Sequence, residues 1–292
     1  MPELPEVQTT VNGLNKKIKG LKITDVWSDW HKIIKNTPSF GQFRKNLLKE
    51  RVSLVKRKGK NILIFLSGHK VLLVHQKMTG HLMVGSWTLG KKAVPVSTGP
   101  LAEKINGYIH FVVVFQNGLM MALSDVRKFA KIVLLDERQI EKVKDLANIG
   151  PDPLDKRTTF AVFKKALYKK PNGKIKQVLM DQEVVSGIGN IYSDEILWFA
   201  RVHPLERIKD LKDDEIKKIF YFTKKILKFS IKIGGDSMSD YRNIFGKIGG
   251  YQKQHKVYRR TGQKCFRCST NIQRIKIGGR SGHFCPKCQK QK

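Results

Sequence analysis

The stretch Tyr108-Ile109-His110-Phe111-Val112-Val113-Val114-Phe115-Gln116-Asn117-Gly118-Leu119-Met120-Met121-Ala122-Leu123 decides how the first half of the chain is read. Two runs of apolar and β-branched residues flank Asn117-Gly118, a pair that tolerates positive φ and so marks a tight hairpin. Towards the N-terminus, Val52–Lys56, Asn61–Leu66 and Val71–His75 are equally short, β-branched and turn-bounded. Up to about Leu135 these runs predict an antiparallel sandwich or barrel. Ahead of them, Val7, Val11, Leu14 and Ile18 recur on one face of a helix, with Pro5 suited to its first turn and Gly20 to its stop.

Beyond Leu135 the pattern changes. Asp136–Asp155 opens charged and ends in Gly150-Pro151-Asp152-Pro153, a natural boundary. Helical spacing follows: Phe160, Phe163 and Leu167 share a face, Ile196, Leu197 and Phe199 lie in another segment, and Asp213–Ile233 is a long basic helix that Gly234-Gly235 stops. Gln263–Gln289 is a small cysteine-bearing module. The expected organisation is a sheet domain over 1–135, a linker over 136–155, a helical domain over 156–262 and a cysteine module over 263–292.

The 292 residues suffice for a substantial core and two domains. Lys and Arg number 57 against 24 Asp and Glu, a formal charge of +33. Such an excess repels itself unless an acidic partner neutralises it, and nucleic acid is the first candidate; an anionic membrane is weaker, because no basic amphipathic helix stands apart. No apolar run approaches the ~18–20 residues that span a bilayer. The opening Met-Pro-Glu-Leu-Pro-Glu lacks the apolar core of a signal peptide, so a cytoplasmic, nucleoid-associated protein is expected.

All four cysteines fall near the C-terminus, as Cys265-x2-Cys268 and Cys285-x2-Cys288. That spacing matches a four-thiolate structural zinc site with no open coordination position. Two disulfides or four free thiols are the alternative, and His283, able to compete as a ligand, is read as a bystander. Arg274, Lys276 and Arg280 surround Gly278-Gly279 between the pairs, so a basic hairpin held by zinc, or a solvated turn, is expected there. Upstream, Ser186-Gly187-Ile188-Gly189-Asn190 precedes a helical run. Two glycines admit a ligand close to the backbone, and a helix start offers unpaired N–H groups to a phosphate. Asn190 suits either a helix cap or a phosphate donor.

Pro2-Glu3-Leu4-Pro5-Glu6-Val7, Arg57-Lys58-Gly59-Lys60, Asp125-Val126-Arg127-Lys128-Phe129 and Asp181-Gln182 with Gly187-Ile188-Gly189-Asn190-Ile191-Tyr192 occur in that order, and the cysteine module closes the chain. Together they resemble the formamidopyrimidine-DNA glycosylases, the Fpg branch of the Fpg/Nei family, along essentially the whole length. The resemblance implies an α+β protein. Its N-terminal domain would be an antiparallel β-sandwich with flanking helices, and its C-terminal domain would carry a helix–two-turn–helix motif and a zinc-finger β-hairpin. It also implies a monomer that binds duplex DNA between its domains, excises oxidised purines such as 8-oxoguanine and formamidopyrimidines, and cleaves the abasic site.

The same resemblance assigns roles. Pro2, freed when Met1 is removed, would be the nucleophile; its α-amine titrates near ~8, so part of it is neutral at physiological pH. Local sequence alone allows Pro2 to Glu6 to be no more than a helix start. Glu3 would shuttle protons, with Glu6 as a further acid or a helix-terminal stabiliser. Lys60, on a turn, would hold the phosphate beside the lesion; His75, Asn190, Tyr258 and Arg280 would contact other phosphates. Met78, Arg127 and Phe129 would fill the gap left by the extruded base, against the alternative of Met and Phe in a β core. Gly234–Tyr251 would close over that base. Ala130, where the family has glycine, and the poorly matching Gly85–Gly107 are departures. The rivals are a Nei-like glycosylase for oxidised pyrimidines and a non-catalytic zinc-finger DNA-binding protein.

Overall fold

The computed structural model describes residues 1–238 and 240–292. They form two units: Met1–Ala147 with Ile233–Gly250, and Asn148–Lys232 with Tyr251–Lys292.

The first unit opens with α1 (Leu4–Lys17), followed by β1 (Ile23–Trp27), β2 (Ile34–Lys35), α2 (Phe40–Leu47), β3 (Val52–Lys58), β4 (Asn61–Leu66), β5 (Lys70–His75) and β6 (His81–Gly85). Then come β7 (Trp87–Leu89), β8 (Ala93–Pro95), β9 (Ile109–Phe115), β10 (Met120–Ser124), β11 (Lys131–Asp136) and α3 (Lys144–Ala147). One sheet runs β1-β9-β10-β6 and the other β2-β11-β5-β4-β3. Alternate residues of both meet in one core: Phe111, Val113, Leu82 and Met121 from the first sheet, Ile62, Ile64, Leu72 and Ile132 from the second. This is the expected β-sandwich, with one departure from an antiparallel plan. The two-residue β2 pairs parallel to β11 through Ile34 and Lys35.

The β9–β10 hairpin forms where the sequence placed it, by a different turn. Of Asn117-Gly118 only Gly118 takes positive φ, at +79°. Its N–H donates to Phe115 C=O at 2.9 Å, and the Phe115 N–H returns to Leu119 C=O at 2.9 Å. A three-residue loop closed by a left-handed glycine matches the twist of the strands as well as the two-residue turn would.

Val7, Val11, Leu14 and Ile18 are all buried in the sandwich core, as their spacing required. Burial of four such side chains contributes roughly 6–12 kcal/mol before chain entropy is counted. The residues 85–107 that matched the family poorly cover the outer face of the first sheet, where Trp87 and Ala93 of the β7–β8 hairpin pack on Ile109, Val112 and Ala122. The segment after Gly234, assigned from sequence to the helical domain, packs within the first unit. Ile244 is 2% exposed in the sandwich core. It lies against Gly13 of α1, where a Cβ would come within 2.8 Å of its side chain.

In the second unit α4 (Phe160–Leu167) is capped by the Thr159 hydroxyl, followed by α5 (Ile175–Met180), α6 (Asn190–Ala200) and α7 (Asp213–Lys232). The antiparallel hairpin of β12 (Gln273–Ile277) and β13 (Arg280–Phe284) closes the chain. α7 starts with Asp213, Asp214 and Glu215 at its positive end and is stopped by Gly234 at φ +86°. The expected linker is divided: residues up to Ala147 belong to the first unit, whereas the Gly150 N–H bonds Gln182 C=O in the second. No helix among the described residues is long and apolar enough to cross a membrane.

Candidate active site and nucleic-acid interface

The chain start is held by its own acids. Glu3 and Glu6 form a reciprocal capping box on α1, in which the Glu3 N–H donates to Glu6 Oε2 at 2.8 Å. Glu6 Oε1 also accepts the Asp236 N–H at 2.7 Å, and the Tyr241 hydroxyl donates to Glu6 C=O at 3.1 Å. Gly235 passes so close, at φ +81°, that a Cβ there would lie 2.9 Å from Glu6 Oε1. Glu6 therefore does more than stabilise a helix end: it ties Asp236 and Tyr241 to the N-terminus.

Glu3, Glu6 and Lys60 are all buried, at 3%, 2% and 6% exposure, and Pro2 is buried while Met1 is 46% exposed. Lys60 owes its place to Gly59, whose φ of +57° turns β3 into β4. Burial, the largest influence, pulls the α-amine of Met1 below its ordinary value. Glu3, Glu6 and Asp240 pull it back, and Lys60 adds to the lowering. An amine, carboxylates and a lysine thus lie close enough to act on one another, which suits nucleophilic attack with proton transfer beside it.

His75 ends β5. Its Nδ1 accepts the Lys77 N–H at 3.0 Å, which leaves the proton on Nε2 and makes that atom a donor. Burial, helped by Lys77 and Lys60, pulls the ring down to about 4, so it is neutral at physiological pH.

Met78, Arg127 and Phe129 come together at the surface rather than in the β core. Met78 is 41% and Phe129 51% exposed; the Arg127 guanidinium donates to Met78 Sδ at 3.3 Å and lies 4.6 Å from the Phe129 ring centre. Asp125, fully buried, sets this loop. It accepts the Ala130 N–H at 2.7 Å, the Arg127 N–H at 3.3 Å and the Thr79 hydroxyl. Ala130 is itself in the core with ordinary backbone, so its methyl group is accommodated.

On the second unit Gly189 is the N-cap of α6 and Asn190 its first residue, so Asn190 is not the cap. Gln182 shapes the approach, accepting the Gly187 N–H and donating to Ile188 C=O, both at 2.8 Å. Tyr258 is half-buried, with its ring edge-on to His255 and His283. Its position is set by Glu195, fully buried, which accepts the N–H groups of Lys256, Val257 and Tyr258 at 2.8–3.0 Å. Arg280 is exposed at the hairpin tip, after Gly278 and Gly279 at φ +54° and +76°.

The four cysteine sulfurs lie within 4.8 Å of one another, with separations of 3.4 Å for Cys268–Cys285 and 4.0 Å for Cys265–Cys288. Thiolates bound tetrahedrally at ~2.3 Å stand ~3.8 Å apart, so the set fits zinc. A disulfide would bring two sulfurs to ~2.05 Å, and none of these pairs is bonded. His283 is committed elsewhere: its Nδ1 meets Asp194 Oδ2 at 2.8 Å.

Sequence reasoning missed the residues that aim these groups: Asp125, Tyr241, Glu195 and the pair Lys176–Asp194, 2.6 Å apart and both fully buried. Lys176 also donates to Asn190 C=O at 3.3 Å, and Asp194 accepts the His283 N–H at 3.0 Å, so one buried pair joins α5, the start of α6 and β13. The available signal was Ser193-Asp194-Glu195, three polar residues in succession ahead of the apolar run Ile196 to Ala200.

Residues 1–132 match the formamidopyrimidine-DNA glycosylase N-terminal domain, 149–242 its H2TH domain, and 262–291 the zinc finger found in FPG and IleRS. The formamidopyrimidine-DNA glycosylase of Herpetosiphon aurantiacus is 36% identical over 290 residues, covering 99% of this chain and all of that one. Among solved structures, a Lactococcus lactis FPG mutant in complex with Fapy-dG-containing DNA superposes with a TM-score of 0.86 at 31% identity, over 99% of this chain and 100% of that one. MutM in complex with carbocyclic 8-oxo-G-containing DNA gives 0.85 at 31% identity with the same coverage. With its sandwich, glycine-led helix and four-cysteine hairpin each matched in sequence and in fold, the chain belongs to the formamidopyrimidine-DNA glycosylase family.

Proposed function

We propose that this protein is a bifunctional DNA glycosylase and abasic-site lyase that removes oxidised purines, 8-oxoguanine and formamidopyrimidines, from duplex DNA. The observation that carries the reading is the buried Pro2 beside the buried Glu3, Glu6 and Lys60, all three of whose charges act on the Met1 α-amine next to it. Once Met1 is removed, the Pro2 nitrogen is a secondary amine in those surroundings, where burial favours its neutral, nucleophilic form. Its lone pair attacks C1′ and the base departs with the glycosidic electrons and a proton. Glu3 carries protons as the sugar ring opens to an iminium. The iminium acidifies the C2′–H, and loss of that proton expels the 3′ phosphate and cuts the strand.

Lys60 and the Nε2–H of His75 hold phosphates beside the lesion, with Asn190, Tyr258 and Arg280 on further phosphates. Met78 and Phe129 fill the vacated base step and Arg127 meets the orphaned partner base. Cys265, Cys268, Cys285 and Cys288 hold one structural zinc ion that keeps the Arg280 hairpin rigid. The relatives solved with Fapy-dG and 8-oxo-G DNA support the substrate class.

Borohydride trapping on an 8-oxoguanine duplex tests this. The mature protein is expected to crosslink through Pro2, and Pro2→Gly to crosslink far less. A crosslink that maps to Lys60, or that survives the substitution undiminished, overturns the nucleophile; a clear preference for thymine glycol overturns the substrate class.

A further inference from the structure

The last acid in the chain is Asp240, and residues 241–292 contain no Asp or Glu. α7 likewise has no acid after Glu215 and carries lysines to its final residue, Lys232. Where these two acid-free stretches meet α6, a groove of about 210 Å³ is lined by Phe199, Phe222, Phe229 and Tyr251, with Lys225 and Lys256 in its walls. The aromatic and basic pattern continues at both ends. Tyr221, 57% exposed, has Lys225 Nζ 5.5 Å from its ring centre. Phe266, 65% exposed, has Lys256 and Arg260 at 4.7 and 4.0 Å.

The Phe199 end of this groove lies apart from the phosphate candidate at the start of α6. Phe199 stands nine residues along the helix from Asn190, roughly 13 Å away. All of the groove residues belong to the second unit.

Lysines without balancing acids select a polyanion. Exposed aromatic faces select a ligand with flat unstacked rings. A duplex satisfies the first condition and leaves the aromatics idle, because its bases are stacked on each other. A single strand satisfies both, with phosphates on the lysines and bases against the rings. We propose that this groove binds a single-stranded nucleic-acid segment, with Lys225 and Lys256 on its phosphates and Phe229 as a stacking platform.

The test uses full-length protein pre-loaded with a saturating duplex carrying a tetrahydrofuran abasic analogue, then titrated against fluorescent oligothymidylate. No lesion chemistry is involved, so the outcome does not depend on Pro2. The loaded protein is expected to bind oligothymidylate. K225A/K256A is expected to lower the slope of log affinity against log salt by about 1.4, the share of two single-strand phosphate contacts. F229A is expected to weaken binding roughly 5- to 150-fold. Both variants are expected to keep wild-type cleavage of a lesion duplex, which also shows that they fold. The proposal is overturned if the pre-loaded duplex abolishes oligothymidylate binding or if the variants bind as wild type. Displacement of the oligonucleotide by an equal charge concentration of a Glu- and Phe-rich peptide also overturns it, and assigns the groove to an acidic protein segment.

Discussion

His75→Asn tests the electrostatics of the N-terminal pocket through stability alone. The Asn side-chain oxygen is able to replace Nδ1 as acceptor for the Lys77 N–H, 3.0 Å away in the native protein, while binding no proton itself. In the folded chain the His75 ring is pulled from 6.5 to about 4, first by burial and then by Lys77 and Lys60. In the unfolded chain it titrates near ~6.5. Above that pH both states carry a neutral ring and nothing depends on it. As pH falls from 6.5 towards 4, the unfolded chain takes up a proton that the folded chain refuses, so folded stability drops. The interval corresponds to roughly 3 kcal/mol when complete and about 2.5 kcal/mol at pH 4.5. Urea unfolding followed by tryptophan fluorescence is suitable, since Trp27, Trp30 and Trp87 lie in the first unit. Between pH 7.5 and 4.5 the wild type is expected to lose about 2.5 kcal/mol more than His75→Asn, other acid-sensitive groups cancelling in the difference. An unchanged difference at the two pH values would mean that the ring titrates normally and that the desolvation argument is wrong.

Asp125→Ala leaves the Ala130 N–H and the Thr79 hydroxyl without their acceptor, and is expected to cost about 2–4 kcal/mol in thermal unfolding. Single-turnover cleavage of a lesion duplex should slow through misplacement of Arg127 and Phe129; an unaltered rate would detach the loop from the chemistry. Lys176→Met leaves Asp194 charged in a fully buried site and should destabilise the second unit by about 3–5 kcal/mol. The double variant Lys176→Met/Asp194→Asn should recover part of that in urea unfolding, and no recovery would count against a paired charge. Chelation of zinc should release one metal per chain by colorimetric assay and abolish duplex binding, while the first unit unfolds at its original temperature. Full binding after stoichiometric release would refute a structural role for the metal.

Much of this was readable in one dimension because the signals are local. The helix face of Val7, Val11, Leu14 and Ile18, the β9–β10 turn and the two Cys-x2-Cys knuckles each depend on residues within a few positions of one another. The candidate chemistry was proposed through the family resemblance, since local sequence alone left Pro2 to Glu6 as no more than a helix start and Met78 and Phe129 as candidates for a β core. What escaped was set at long range. Glu6 meets Asp236 and Tyr241 across more than 200 positions, and Lys176, Asp194 and His283 converge only after folding. The parallel β2–β11 pair is similarly a meeting of distant residues that no turn signal announces.

The first unit is discontinuous, and this bears on how the protein is made. Ile244 fills a socket against Gly13, and the Val84 N–H donates to its carbonyl at 2.7 Å. Residues 148–232, 85 in all, intervene between Ala147 and the start of that strap. At ~5–20 residues per second a ribosome needs roughly 4–17 s to supply them. Throughout that interval the nascent sandwich carries an open apolar slot, and the whole of α7 is synthesised before it can close. A fragment ending at Ala147 would keep that slot permanently, so the first unit is better produced with residues 233–250 grafted on than by simple truncation.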